Sequence, residues 1–139
     1  MIAENSQKHN PVSLFAARKR HFEHLNSAFM RAMDEGRTPP MGSMDQIIHA
    51  ESDLMGTPAE TLDDAAYKLE ISMGEVDEVG GEEESLALLR RAHVALRAGS
   101  VSTAMKYMNL AMNGKTRWEF AYEGAAAALA DLRRMEAHP

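Results

Sequence analysis

Cysteine is absent from all 139 residues, which excludes disulfides, thiolate nucleophiles and cysteine-ligated metal ions. A protein without cysteine suits a reducing compartment, so we expect a cytoplasmic location. Long apolar runs are absent too, because the longest, residues 125–130, is far shorter than the roughly 18 residues that a transmembrane helix needs. We therefore expect no interaction with a membrane.

Signals for β-strands are missing as well, because nowhere do β-branched and polar residues alternate over the length of a strand. Apolar residues instead recur at helical spacing, and glycine, proline and capping residues divide the chain into five or six segments. The sequence therefore predicts an all-α fold, a helical bundle of five or six amphipathic helices that are mostly antiparallel neighbours. We expect a single helical domain over residues 11–139, preceded by a flexible N-terminal tail at residues 1–10.

Local signals set the predicted helix boundaries. The first helix is expected to run from Pro11, with Asn10 as its cap, to Asp34. Glycines predict where three later helices end: Gly56, Gly80 and Gly99. Capping-box patterns, in which a Ser or Thr and a later Glu or Gln satisfy backbone N–H groups, predict three helix starts: Ser43 with Gln46, Thr57 with Glu60, and Thr116 with Glu119.

Apolar stripes predict the buried faces. The stripe of the first helix comprises Phe15, Phe22, Leu25, Phe29 and Ala32, and that of the second comprises Ile47, Ile48, Leu54 and Met55. The last helix, expected from Arg117 to about Ala137, takes its apolar mass from Trp118, Phe120, Ala121, Leu129, Leu132 and Met135. Its small residues 125–128 suit either a tight contact inside the fold or a dimer interface. The 11 methionines suit either core packing or an adaptable binding face.

Charge is unevenly distributed along the chain, whose net charge is −6. Residues 1–40 carry six lysines and arginines against four carboxylates, residues 41–85 carry Lys68 alone against thirteen, and residues 86–139 carry eight against four. Either the basic ends neutralise the acidic middle within the fold or a dimer, or the middle presents an acidic face to a basic partner. The candidate partner-binding residues are Asp63, Asp64, Glu75, Asp77 and Glu78.

Residues 61–79 have the apolar spacing of a helix-turn-helix, in which Ser72 and Gly74 would begin the recognition helix. However, Glu70 occupies the tight-turn position that usually holds glycine, and three carboxylates in the second helix would repel phosphates. The alternative is one continuous amphipathic helix, and we expect no nucleic-acid partner.

His21 and His24 lie three residues apart on the first predicted helix, a spacing at which two imidazoles can share a metal ion. Such sites usually need further ligands, and the chain has no Glu-x-x-His pair of the kind that builds a di-iron bundle. It also has no Gly-x-Ser-x-Gly elbow and no glycine-rich phosphate loop. We therefore predict no enzyme activity, no cofactor and no metal site, with His21 and His24 as the only candidate metal ligands.

A family resemblance comes from residues 55–62 and 65–69, which combine a Thr-Pro-Ala-x-Thr helix start with a following Ala-x-Lys-Leu sequence. This pattern resembles a stretch in short, uncharacterised α-helical proteins of proteobacteria, and the resemblance extends over about residues 43–98. It implies a bacterial, cytoplasmic helical protein, and it implies no particular activity or ligand.

These observations favour a small interaction or regulatory protein that is not an enzyme. We expect it to act through self-association or through an acidic face, with a protein or a second copy of the chain as its partner. One alternative is a DNA- or transcription-associated protein that uses residues 61–79. A second alternative is a helical bundle that binds a metal ion or a small molecule.

Overall fold

Helices account for nearly all of the chain that the structure, a computed structural model, describes, which is residues 13–113 and 119–137. Within those residues there are six α-helices, one short 3₁₀ helix and no strand, which confirms the predicted all-α fold. The expected tail at residues 1–10 and the capping box at Thr116 lie outside the described residues.

The helices divide between two compact units, which we call unit 1, ending at Thr57, and unit 2, beginning at Pro58. In unit 1, α1 packs on α2; in unit 2, α3 packs on α4 and α6, and α4 packs on α5. The single domain over residues 11–139 stays a prediction. The elements are α1 (Leu14–Asp34), α2 (Ser43–Gly56), α3 (Leu62–Val79), α4 (Glu83–Arg97), α5 (Val101–Met112), the 3₁₀ helix (Glu119–Tyr122) and α6 (Glu123–Ala137).

Two helix starts differ in detail from the predicted ones. α1 begins after Ser13, whose Oγ accepts a hydrogen bond from a first-turn N–H at 3.0 Å, so its start lies three residues later than predicted. α2 begins at Ser43, but the residue in the capping position is Gly42, with a φ of +84° that favours glycine. The Ser43 hydroxyl donates to the Pro40 carbonyl oxygen at 2.6 Å, so the predicted capping box at Ser43 is wrong.

The capping box of α3 forms four residues later than predicted. The Thr61 Oγ1 accepts a hydrogen bond from the Asp64 N–H at 3.1 Å, and the Asp64 Oδ2 accepts one from the Thr61 N–H at 3.2 Å. Thr57 instead follows the end of α2, where its buried hydroxyl donates to the Asp53 carbonyl oxygen at 2.6 Å. Both threonines precede an acidic residue at the right spacing, so packing decides between them, and the predicted Thr57 box is wrong.

α3 is one unbroken helix of 18 residues. Its buried side includes Ala66, Leu69 and Val76. The helix continues through Glu70 and Gly74 without a turn, so the helix-turn-helix interpretation of residues 61–79 is wrong. Glutamate is a good helix former and cannot provide the conformational freedom that a tight turn takes from glycine.

Unit 1 buries only part of the stripe predicted for α1. The buried members are Phe15, Phe22 and Ala32. Leu25 and Phe29 are half-buried and line a groove between α1 and α2. Ile48, which the pattern assigned to the buried side of α2, is exposed instead. The Arg18 guanidinium ties the two helices together by donating to the Thr57 Oγ1 at 2.6 Å.

The core of unit 2 is built from apolar residues at helical spacing on α3, α4, α5 and α6. Its largest fully buried apolar members are Leu69, Leu89, Leu96, Met108 and Leu132. Gly99, with a φ of +83°, makes the turn that joins α4 and α5. This core holds the helices that carry the charged surface described below.

α3 and α6 approach closely where α6 begins with small residues. A Cβ added at Gly124 would collide with the Lys68 carbonyl oxygen and would lie 3.0 Å from the Ser72 Oγ. The Ser72 hydroxyl accepts a hydrogen bond from the Ala125 N–H at 2.7 Å, which satisfies a donor that the first turn of a helix leaves open. Ala125 and Ala128 are fully buried. This part of the small-residue run therefore serves a tight contact inside the fold.

The same interface contains a buried ion pair. The Lys68 Nζ lies 2.7 Å from the Asp131 Oδ2, and the two side chains are only 1% and 10% exposed. Arg134 brings a second cation to within 3.6 Å of the other carboxylate oxygen. Since either charge would be costly to bury alone, the pair fixes how α3 sits against α6.

The close approach predicts opposite effects for two glycine substitutions. Gly124→Ala is expected to lower the free energy of unfolding by about 1–3 kcal/mol, because α3 and α6 must move apart. Gly74→Ala is the matched control, since an added Cβ there meets no neighbouring element. It should raise the free energy of unfolding by about 0.5–1 kcal/mol. Urea unfolding measures both, and a stabilising effect of Gly124→Ala would contradict the close approach.

The ion pair predicts strong coupling between its two members. Lys68→Met and Asp131→Leu should each lower the free energy of unfolding by about 3–5 kcal/mol, because each leaves a buried charge behind. Asp131→Leu should be the worse, since in Lys68→Met the carboxylate still faces Arg134. The double variant should be more stable than either single variant. Urea unfolding of all four proteins measures the coupling, and additive losses would refute it.

Candidate functional site

Two carboxylates in the first half of α3 pair with side chains of α4. The Arg97 guanidinium of α4 donates to the Asp63 Oδ1 at 2.8 Å, and the His93 Nε2 lies 2.9 Å from the Glu70 Oε2. Asp64 belongs to the capping box of α3. Two of the five candidate partner-binding residues, Asp63 and Asp64, therefore already have partners within unit 2, and Asp63 alone of the two pairs with a basic residue, as internal neutralisation expects.

Lys68 contributes no positive charge to the surface of the acidic segment, which is residues 41–85. It is the only lysine or arginine among residues 41–85, and its charge is buried against Asp131. Sequence reasoning did not anticipate this, because a lysine at a helical position is usually exposed. The exposed surface of the segment is therefore more purely acidic than its composition suggests.

The second half of α3 carries the other three candidates, Glu75, Asp77 and Glu78. Asp77 and Glu78 are exposed and form no ion pair with another residue in the described part of the chain. Asp77 and Glu78 lie in the last turn of α3, where the negative end of the helix dipole disfavours negative charge. No basic residue lies in that turn to offset them. Local charge that opposes helix stability is expected where a protein meets a partner.

Glu75 and Glu78 border a groove of about 420 Å³, which we call the acidic groove, together with Val79 and Phe120. Asp77 is not among the residues that line it. Phe120 is 58% exposed, so its predicted place among the apolar mass of the last helix is wrong. The chain around it forms a 3₁₀ helix instead of the first turn of α6. Residues on a 3₁₀ helix point in directions that an α-helical stripe does not predict.

A second groove, of about 480 Å³, lies between α4 and α5, and we call it the basic groove. Its lining residues are Arg90, Arg91, Val94, Ala95 and Tyr107. Val94 is 69% exposed. Both arginines are exposed and, among the residues that the structure describes, neither has an ion-pair partner. The paired arginines in the basic last third of the chain are the sequence signal for this groove, which was not predicted.

The two candidate histidines lie on the exposed side of α1 in unit 1. His21 borders a groove of about 450 Å³ that His49, Asp45 and Asp53 also line, whereas His24 does not. Across residues 13–113 and 119–137, no group of three or more histidines and carboxylates is arranged to hold a metal ion. The grouping of His21 with residues of α2 therefore provides a polar groove, without a metal-binding arrangement among the described side chains.

The methionines divide between the two units. Four in unit 1 are at least half exposed: Met30, Met33, Met41 and Met44. Those described in unit 2 are buried or half-buried. Core packing therefore accounts for the methionines of unit 2, and the adaptable binding face stays a prediction for the exposed methionines of unit 1.

Comparisons with known proteins give the chain no family. Searches of protein-family models, of curated proteins and of solved structures found no match. The resemblance of residues 43–98 to short helical proteins of proteobacteria therefore stays a prediction. In the described part of the chain, no helix combines the length and the apolar character needed to cross a membrane.

Proposed function

We propose that this chain is a small interaction protein without enzyme activity, and that its acidic groove binds a basic, partly apolar surface of a protein partner. The observation that carries the proposal is the exposed Phe120 ring beside Glu75 and Glu78. A cytoplasmic setting fits this role, because a chain without cysteine suits a reducing compartment.

The groove combines the two components of a typical binding surface. An exposed phenylalanine offers a large apolar area, and aromatic anchors of this kind often carry most of the binding energy of an interface. The flanking carboxylates would select a basic partner and speed its approach, since charge complementarity acts mainly on specificity and association rate. Val79 extends the apolar floor next to the ring.

The position of the carboxylates supports function over folding. Glu75 and Glu78 lie three residues apart on one side of α3, where like charges repel. Glu78 also lies in the last turn of the helix, near the negative end of the helix dipole. A neutral or basic residue would stabilise the helix better at that position, so a role in binding gives a physical reason for an acid there.

A defined peptide tests the groove. The probe is an amphipathic helix of about 18 residues, or five turns, with arginines flanking a leucine stripe. Titration followed by NMR should shift the amide signals of Val79 and Phe120. Phe120→Ser should weaken binding by about tenfold or more, because it removes the aromatic anchor. Ile48→Ser is the matched control, since both side chains are 58% exposed, and it should leave the affinity unchanged.

Glu78→Lys separates binding from folding in the same titration. It should weaken peptide binding and yet raise the free energy of unfolding by about 0.5 kcal/mol, because a cation is favoured at the end of a helix. Glu136→Lys, at an exposed position of α6, controls for the change in net charge. Peptide binding that survives Phe120→Ser and Glu78→Lys together would refute the proposed function.

A further inference from the structure

The basic groove has the chemistry that the acidic groove requires. We propose that the acidic groove of one copy of this chain binds the basic groove of a second copy. This inference rests on the proposed function and names the partner. It assigns a role to Arg90, Arg91 and Val94, which the proposed function leaves unused.

The two grooves are complementary in charge. Each places two like charges beside an apolar patch, with carboxylates at Glu75 and Glu78 and guanidinium groups at Arg90 and Arg91. Arginine forms paired hydrogen bonds with carboxylates, which makes such contacts both stronger and more directional than lysine contacts.

The apolar parts of the two grooves are also complementary. Phe120 is 58% exposed beside the acidic groove, and Val94 is 69% exposed beside the basic groove. Tyr107, half-buried in the basic groove, provides an aromatic partner for the phenylalanine ring. Aromatic pairs contribute beyond the area that they bury. Contact would therefore cover the most exposed apolar residues that border the two grooves.

The contact joins different surfaces of the two copies. The acidic groove is built by α3 and the 3₁₀ helix, the basic groove by α4 and α5, and no residue belongs to both. Each copy therefore offers one groove of each kind, and the contact can repeat from copy to copy until a ring or a reciprocal pair closes it. A contact made by a few residues on each side belongs to the small, transient class of interfaces. We expect association that increases with protein concentration and weakens with salt.

Charge exchange between two variants tests the pairing. In the first variant, Glu75→Lys and Glu78→Lys make both grooves basic; in the second, Arg90→Glu and Arg91→Glu make both grooves acidic. Sedimentation velocity at increasing concentration should show association of the unchanged protein and a monomer for each variant. An equal mixture of the two variants should associate again, because every basic groove then meets an acidic one.

Matched controls carry the same charge changes outside both grooves. Glu60→Lys with Glu136→Lys, at exposed positions of unit 2, controls for the first variant. Arg20→Glu with Arg31→Glu, at exposed positions of α1, controls for the second. Both control proteins should associate as the unchanged chain does. If a double variant fails to fold, Glu78→Lys and Arg91→Glu replace it singly in the same mixing experiment.

Three results would overturn the pairing. They are an unchanged protein that stays monomeric throughout, variants that associate like the unchanged protein, and a mixture that stays monomeric. If the basic peptide still binds the acidic groove in those cases, the proposed function stands and only its partner is wrong. If neither the peptide nor a second copy binds, both proposals fail.

Discussion

The buried ion pair between Lys68 and Asp131 is the constraint on which the charged surface of unit 2 depends. Because burying either charge alone would be costly, the pair favours one rotation of α3 against α6. Lys68, Ser72 and Glu75 follow one another at spacings of four and three, so they lie along one side of α3. Glu75 therefore lies on the same side of α3 as the buried Lys68, further along the helix, where it borders the acidic groove with Phe120.

The fold distributes the acidic residues of α3 between two roles. Those in its first half cap the helix or pair with side chains of α4 at the surface. Those in its second half lie at the end of the helix that least favours negative charge. Burial of Lys68 removes the one cation that could have offset them within the segment. The first half of the helix thus fits internal neutralisation, whereas an acidic face for a partner stays a proposal for the second half.

The sequence predicted the features that local chemistry determines. Helical spacing, glycines and prolines indicated the all-α fold and most helix ends, because these signals act within a few residues. Partners far away in the chain decided the rest. The burial of Lys68 depends on Asp131, 63 positions later, and the exposure of Phe120 depends on a 3₁₀ turn. Of the two grooves, Glu75 and Glu78 were predicted as binding residues, whereas Phe120, Arg90 and Arg91 were not.

Hydrogen exchange at low and high protein concentration shows whether the two grooves pair, because it locates the surface that association covers. Pairing should slow exchange at high concentration in residues 76–80, 119–122 and 91–95. Exchange should stay unchanged in α1 and α2, where Met30, Met33 and Met44 are exposed. Protection confined to α1 and α2, or association without protection at either groove, would contradict the pairing.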